Sequence, residues 1–158
     1  TLSPGAVGEG KAWPPGHYAA LARALTQDGA SVWVLGGPNE KGIAQQIVSA
    51  AGSGARDLTG NDLRNAILAM AAADVAVTND SGLMHVSAAI GTPTVAIFGP
   101  TSPWHWKPLN PVAAILEPPG DEAAKARARE IGNDAVKHRR TADVAVETVL
   151  SAVRDVLP

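Results

Sequence analysis

Between Val75 and Pro100 the chain reads VAVTNDSGLMHVSAAIGTPTVAIFGP, and no other stretch constrains the fold as tightly. An apolar run, Val75 to Val77, gives way to polar Thr78-Asn79-Asp80-Ser81-Gly82. Small and apolar residues follow at helical spacing from Leu83 to Ile90, and Gly91-Thr92-Pro93 breaks them. A second apolar run, Thr94 to Phe98, ends on Gly99-Pro100. The order predicts strand, tight turn, helix, turn, strand, which is one βαβ unit. In such a unit the first turn lies on the ligand edge of a parallel sheet. The helix start there presents unpaired N–H groups to an anion.

The same alternation extends in both directions. Thr1 to Ser3 reads as the end of a strand, and Pro4 to Lys11 as a Gly-rich loop carrying one cation. A helix is expected near His17 to Gln27, with Tyr18, Leu21 and Leu25 on its apolar face. Ser31 to Leu35 is a short strand, Gly36 to Asn39 a turn with Asn39 as N-cap, and Glu40 opens a helix running to about Ala51. Asp57 to Gly60 is a brief strand or a loop, and Asn61 can cap a helix from Asp62 to Ala72 with Leu63, Ile67 and Met70 on one face. After the central unit, Thr101 to Pro111 reads as a loop, Val112 to Leu116 as a last strand, and a final helix starts near Thr141. Asp121 to Arg140 is weakly patterned: a helix, an insertion and disorder all fit. These elements predict an α/β fold, a three-layer Rossmann-like parallel sheet with helices on both faces.

Composition narrows the class. With 46% hydrophobic and 18% charged residues in 158, the chain suits one folded domain with its own core. A net charge of −2 argues against a general nucleic-acid binder. The absence of cysteine removes disulfides, thiolate metal sites and cysteine nucleophiles, and suits a reducing cytosol. No apolar run approaches the roughly 18 residues of a membrane span, and no signal-peptide pattern is present. The chain begins at Thr1 directly in a strand, which reads as a piece cut from a longer protein.

In a parallel sheet every strand-to-helix loop lies on one edge. Pro4 to Trp13, Gly36 to Glu40, Thr78 to His85 and Gly99 to Trp106 would therefore meet. Together they hold the glycines, hydroxyls, cation and carboxylates expected of a nucleotide or phosphate site. Gly5, Gly8 and Gly10 do not form G-x-G-x-x-G, and there is no G-x-x-x-x-G-K-[ST], so neither standard phosphate fingerprint applies.

NDSGLMH, Asn79 to His85, followed by GTPTVAIFGPTSP, Gly91 to Pro103, resembles the signature of glycosyltransferase family 9, the ADP-heptose:lipopolysaccharide heptosyltransferases. The likeness is nearest to the heptosyltransferase II branch. SPGA…KAWP, Ser3 to Pro14, is similar to the start of that family's second domain, as is the run through GGPNE to Glu40. The likeness covers about Thr1 to Pro111 and fades beyond Glu117. It implies the C-terminal half of a GT-B enzyme: residues 1–158 as the nucleotide-sugar-binding domain, with the N-terminal acceptor domain outside this chain. It also implies an inverting transfer of heptose from ADP-heptose to the lipopolysaccharide inner core, in the cytoplasm or at the inner face of the inner membrane. No cofactor or metal is expected, the ADP-sugar being a substrate. The expected partners are that donor and, through the absent domain, the lipopolysaccharide core acceptor, with no nucleic acid and at most peripheral membrane contact. A GT-B domain for another nucleotide sugar, or a non-catalytic nucleotide-binding module, fits the same residues.

Under this resemblance Lys11 neutralises diphosphate charge and stabilises the leaving group, whereas the general base belongs to the absent domain. Without it, Lys11 is an ordinary surface lysine. Ser81, Gly82 and Leu83 offer helix-start amides to the phosphates, or simply a capped turn. Asp80 orients the loop, caps the helix or meets a sugar hydroxyl. His85 donates to a phosphate or the sugar, or is a core histidine. Glu40 accepts from ribose hydroxyls, or complements a helix start. Thr59 to Asn61 runs beside the adenine, largely through its backbone, and Thr101 and Ser102 reach the sugar or phosphate. Trp13 packs the first helix on the sheet. Trp104 and Trp106 face the absent domain or acceptor, or pack locally. Lys107, His105 and the basic residues from Arg127 to Arg140 form a solvated face.

Overall fold

The structure, a computed structural model, describes residues 1–157. Six strands form one sheet: β1 (Leu2–Ser3), β2 (Val32–Val34), β3 (Ala55–Asp57), β4 (Ala76–Asn79), β5 (Thr94–Ile97) and β6 (Ala113–Leu116). Their spatial order is β3-β2-β1-β4-β5-β6 and every neighbouring pair is parallel. Seven α-helices accompany them among the described residues: α1 (Pro15–Gln27), α2 (Lys41–Ala51), α3 (Leu63–Ala71), α4 (Gly82–Ala89), α5 (Pro103–Trp106), α6 (Glu122–Ile131) and α7 (Val146–Val156). This is the three-layer α/β arrangement expected from the alternating pattern.

Burial explains the layering. All four residues of β4 and of β5 are buried, as strands covered on both faces must be. On one face α1 packs against both α2 and α7, and Tyr18, Leu21, Ile47, Val149 and Val153 meet Val34, Val77 and Val95. On the other, α3 packs against α4, and Met84 packs with Ala96 and Phe98. Completely burying one such aliphatic side chain contributes roughly 1.5–3 kcal/mol, so the sheet centre is the most costly place to disturb.

The strand order reverses between β1 and β4. The chain leaves β1 toward β2 and leaves β4 toward β5, so the carboxyl ends of these two strands open a crevice. Register puts Leu2 beside Val77 and Ser3 beside Thr78, with Pro4 and Asn79 next on the two strands. The functional loops start there.

Several local expectations change. Asn39 is not an N-cap: Pro38–Glu40 forms a 3₁₀ turn that Gly37 precedes, and Glu40 stands at the N-cap position of α2. Asn61 does not cap α3 either. Asp62 does, accepting 2.8 Å from the Asn65 amide, because the extended backbone of a cap falls one residue later. Leu63 is 60% exposed, so Met70, not Leu63, carries α3 into the core. The stretch after β5 contains the one-turn α5. Asp121 to Arg140 is ordered: Asp121, in the left-handed region at φ 56°, caps α6 through a 3.4 Å contact to the Ala124 amide. The final helix follows a 3₁₀ turn at Thr141–Asp143 and starts at Val146. No helix is long and apolar enough to cross a membrane among the described residues.

Candidate functional site

Asn79, the last residue of β4, organises the crevice. It is fully buried, and its Oδ1 accepts the Trp13 amide at 3.1 Å. The Tyr18 hydroxyl lies 3.1 Å from the same oxygen, while Asn79 Nδ2 donates to the Pro4 carbonyl at 2.8 Å. One side chain thus ties the end of β4 to both ends of the loop that leaves β1. Burial pushes the Tyr18 phenol well above its ordinary pKa, so it remains a neutral donor. Trp13 is buried as well, edge-on to Tyr18, with its indole N–H donating to the Val144 carbonyl at 2.9 Å.

The loop held in this way carries Lys11 over the crevice. Its Nζ lies 2.9 Å from Asp80 Oδ2, with side-chain exposures of 23% and 9% respectively. A pair this shielded from water is less screened than a surface ion pair. Asp80 therefore does not cap α4. Ser81 occupies the N-cap position with extended backbone, and its side chain makes no capping bond. The start of α4 consequently lacks a side-chain cap and faces the same cleft as Lys11.

Glu40 forms the opposite wall. Its Oε2 accepts the Gly37 amide at 2.7 Å, folding the carboxylate back over the ends of β1 and β2. Glycines make that fold possible. A Cβ on Gly36 would stand 2.9 Å from Glu40 Cβ, and one on Gly5 would stand 3.1 Å from Glu40 Cδ. Oε1 lies beside Gly5 and has no hydrogen-bond partner among the described residues. One carboxylate oxygen is thus anchored and the other is available to accept from a hydroxyl.

These groups line one open cleft of about 590 Å³, walled by Gly5–Val7, Lys11, Gly36, Gly37, Glu40, Leu63, Asp80–Leu83 and Val86. Of the residues expected at the site, Lys11, Glu40, Asp80, Ser81, Gly82 and Leu83 come together there. Asn61, His85 and Thr101 do not line it. Asn61 is exposed and donates 3.0 Å to the Leu58 carbonyl. His85 is exposed on α4, so it is not a core histidine. Thr101 is buried, and its hydroxyl has no partner among the described residues. A hollow of about 360 Å³ at the opposite edge, around Thr1, Ser31 and Asp74, lacks any comparable set of groups. No group of three or more histidines and carboxylates suited to a metal gathers among the described residues.

The outer loop after β3 is also fastened. Gly60 N–H donates to the Gly36 carbonyl at 2.9 Å, and Asp57 accepts the Thr59 amide at 2.8 Å and its hydroxyl at 2.5 Å. Partial burial raises the Asp57 pKa, but the two Thr59 bonds and Lys41, 3.4 Å away, together hold it below the usual carboxylate value.

Sequence reading missed the part played by the C-terminal segment. Arg139 is not on a solvated face: it is 4% exposed, pairs with Glu117 at 2.9 Å and donates to the Pro118 carbonyl. Arg140 and Thr141 then cross the carboxyl edge and meet Gly10, the residue before Lys11. No local pattern signals this contact. The expected solvated face survives at His105, 3.3 Å from Ser102 Oγ, and at exposed Lys107. Trp104 and Trp106 are 57% and 50% exposed, and Arg129 lies over the Trp104 ring at 4.5 Å.

The sequence model of glycosyltransferase family 9 (heptosyltransferase) matches residues 1–156, well past Glu117, where the likeness in the motifs fades. Lipooligosaccharide heptosyltransferase 2 of Haemophilus influenzae is 33% identical over 160 residues, covering 98% of this chain and 46% of that protein. Lipopolysaccharide heptosyltransferase 2 of Salmonella typhimurium is 40% identical over 119 residues, covering 72% of this chain and 34% of that protein. Among solved structures, Escherichia coli ADP-heptose lps heptosyltransferase II superposes with a TM-score of 0.79 at 30% identity, covering 98% of this chain and 45% of that one. The chain spans less than half the length of each.

Proposed function

The chain belongs to glycosyltransferase family 9, and on that premise we propose that it is the nucleotide-sugar-binding, C-terminal half of a GT-B heptosyltransferase acting in lipopolysaccharide core assembly. The observation that carries this reading is the shared cleft at the β1–β4 crevice. It joins a cation, an uncapped helix start and a carboxylate with one free oxygen. A nucleoside diphosphate sugar offers a partner to each: its phosphates to the cation and the helix start, its ribose hydroxyls to the carboxylate.

The proposed fit runs across the cleft. Glu40 Oε1 accepts from the ribose hydroxyls, while the Gly82 and Leu83 amides and Lys11 meet the diphosphate. Arrival of the diphosphate draws the Lys11 ammonium away from Asp80, and the released carboxylate accepts from a hydroxyl of the sugar. Exposed Asn61 and His85 would meet a donor reaching beyond the cleft wall, whereas buried Thr101 would meet one only if its surroundings opened.

In the transfer, an acceptor hydroxyl oxygen attacks the anomeric carbon and its proton passes to a base outside this chain. The bond from the anomeric carbon to the phosphate oxygen breaks, and its electron pair leaves with ADP. Charge grows on that oxygen, and a fixed cation with preorganised amides stabilises it. The chain's own residues thus bind the donor and assist its departure, without activating the acceptor. The donor, the acceptor on the lipopolysaccharide core, and peripheral contact at the cytoplasmic face of the inner membrane all belong to this proposal. The names of the relatives support the donor and the acceptor.

Calorimetric titration with ADP, UDP and GDP tests the site, and turnover of ADP-heptose by the full-length protein tests the reaction. ADP is expected to bind most tightly, and ADP-heptose to be consumed. Tighter binding of UDP or GDP would point to another nucleotide sugar. Binding without turnover in the full-length protein would leave a nucleotide-binding module.

A further inference from the structure

Lys11 sits between two anchors, and the one before it comes from the far end of the chain. The Gly10 carbonyl belongs to the peptide bond whose nitrogen is that of Lys11, so whatever holds this oxygen sets the plane from which Lys11 departs. Two donors hold it, both from Thr141: the backbone amide at 3.0 Å and Oγ1 at 3.0 Å. Thr141 is 1% exposed, so neither bond competes with bulk water.

The surroundings are shaped to admit this contact. Gly10 has φ 75°, and a Cβ there would stand 2.3 Å from Arg140 Cδ. A Cβ on Gly99 would stand 2.6 Å from the Thr141 nitrogen and 2.8 Å from the Gly10 oxygen; these are backbone atoms that cannot swing aside. The strap itself is fastened at its root, where buried Arg139 grips Glu117 and the Pro118 carbonyl beyond the end of β6. Arg140 adds an exposed contact to Glu9 at 3.4 Å. On the far side of Lys11, Asn79 fixes the Trp13 amide.

We infer that Thr141 is a positioning residue for Lys11: its hydroxyl and amide, closing on the Gly10 carbonyl, hold the lysine where it meets the diphosphate. This inference rests on Lys11 being the diphosphate cation. The Thr141 hydroxyl touches no ligand itself and acts through the orientation of one peptide plane. Losing it leaves the amide bond in place, so the fold persists while the plane gains freedom.

The test is a double-mutant cycle on the full-length protein, read by ADP titration calorimetry and thermal melts, with Thr141→Val and Thr141→Ser each in Lys11 and Lys11→Ala backgrounds. Thr141→Val is expected to weaken ADP binding about five-fold, the size of one net hydrogen bond. Thr141→Ser, which keeps the hydroxyl, is expected to bind as the parent does. In the Lys11→Ala background Thr141→Val is expected to cost nothing further. An equal loss in both backgrounds, or no loss in the Lys11 background, would overturn the inference. If Thr141→Val melts early, Thr141→Ala carries the same cycle. Failure of the underlying reading looks different: Lys11→Ala would bind ADP as the parent does, and the inference would fall with it.

Discussion

The two charged walls of the cleft are held in opposite ways. Glu40 is fixed by its neighbours: the Gly37 amide three residues away accommodates its carboxylate, and Gly36 and Gly5 leave it room. Lys11 is fixed from a distance, by Asn79 through Trp13 and by Thr141 through Gly10, across 66 and 131 residues of sequence. The difference teaches where each wall is vulnerable. The glutamate turn depends on local shape, so substitutions there should alter the ligand more than the fold. The lysine loop is a product of the whole domain, so loosening it couples binding to stability.

The largest effect should come from Asn79→Ala. It strands the Trp13 amide and the Pro4 carbonyl in a buried place and leaves the Tyr18 hydroxyl only the Ser3 carbonyl at 3.3 Å, so destabilisation of about 3 kcal/mol is expected by chemical denaturation. A loss under about 1 kcal/mol would mean that the remote anchoring is weak and the comparison overstated.

This contrast also explains what could be read in the sequence. Strand-loop-helix patterns placed Lys11, Glu40 and Ser81–Leu83 on one edge, because parallel strands put all such loops there. Glu40 was legible as an acceptor because its Gly-Gly turn is contiguous. The anchors of Lys11 were not, since nothing near Gly10 announces Thr141, and Arg139 looks like any residue of a basic run. Leu63 was misplaced because helical spacing defines a stripe without saying that its first turn overhangs a cleft. The cap moved from Asn61 to Asp62 because adjacent Asn and Asp cap equally well in sequence.

The local wall offers a sharper, smaller test. Glu40→Gln keeps size but weakens acceptance from a ribose diol, so discrimination between ADP and 2′-deoxy-ADP should fall by about ten-fold, with melting little changed. Gly36→Ala should reproduce part of that loss, since its Cβ would press on Glu40 Cβ at 2.9 Å. If Gly36→Ala leaves ribose discrimination intact, Glu40 is not shape-held.

The smallest effect concerns acid. Asp57 has a depressed folded-state pKa, so it contributes stability above the unfolded value near 3.9 that is lost as pH falls through the folded value. Asp57→Asn should therefore lower stability slightly at neutrality and converge with the parent below about pH 4, so that the acid limb of the curve is flatter. A parallel shift of the whole curve would assign Asp57 a role other than its charge.

The central claim is that the β1–β4 cleft receives a diphosphate at Lys11. Titrating ADP and adenosine into the parent and into Lys11→Ala tests it directly. The account predicts at least a ten-fold loss for ADP, about 1.4 kcal/mol, with adenosine unchanged. Equal ADP affinity in the two proteins, or a matching loss for adenosine, would contradict it.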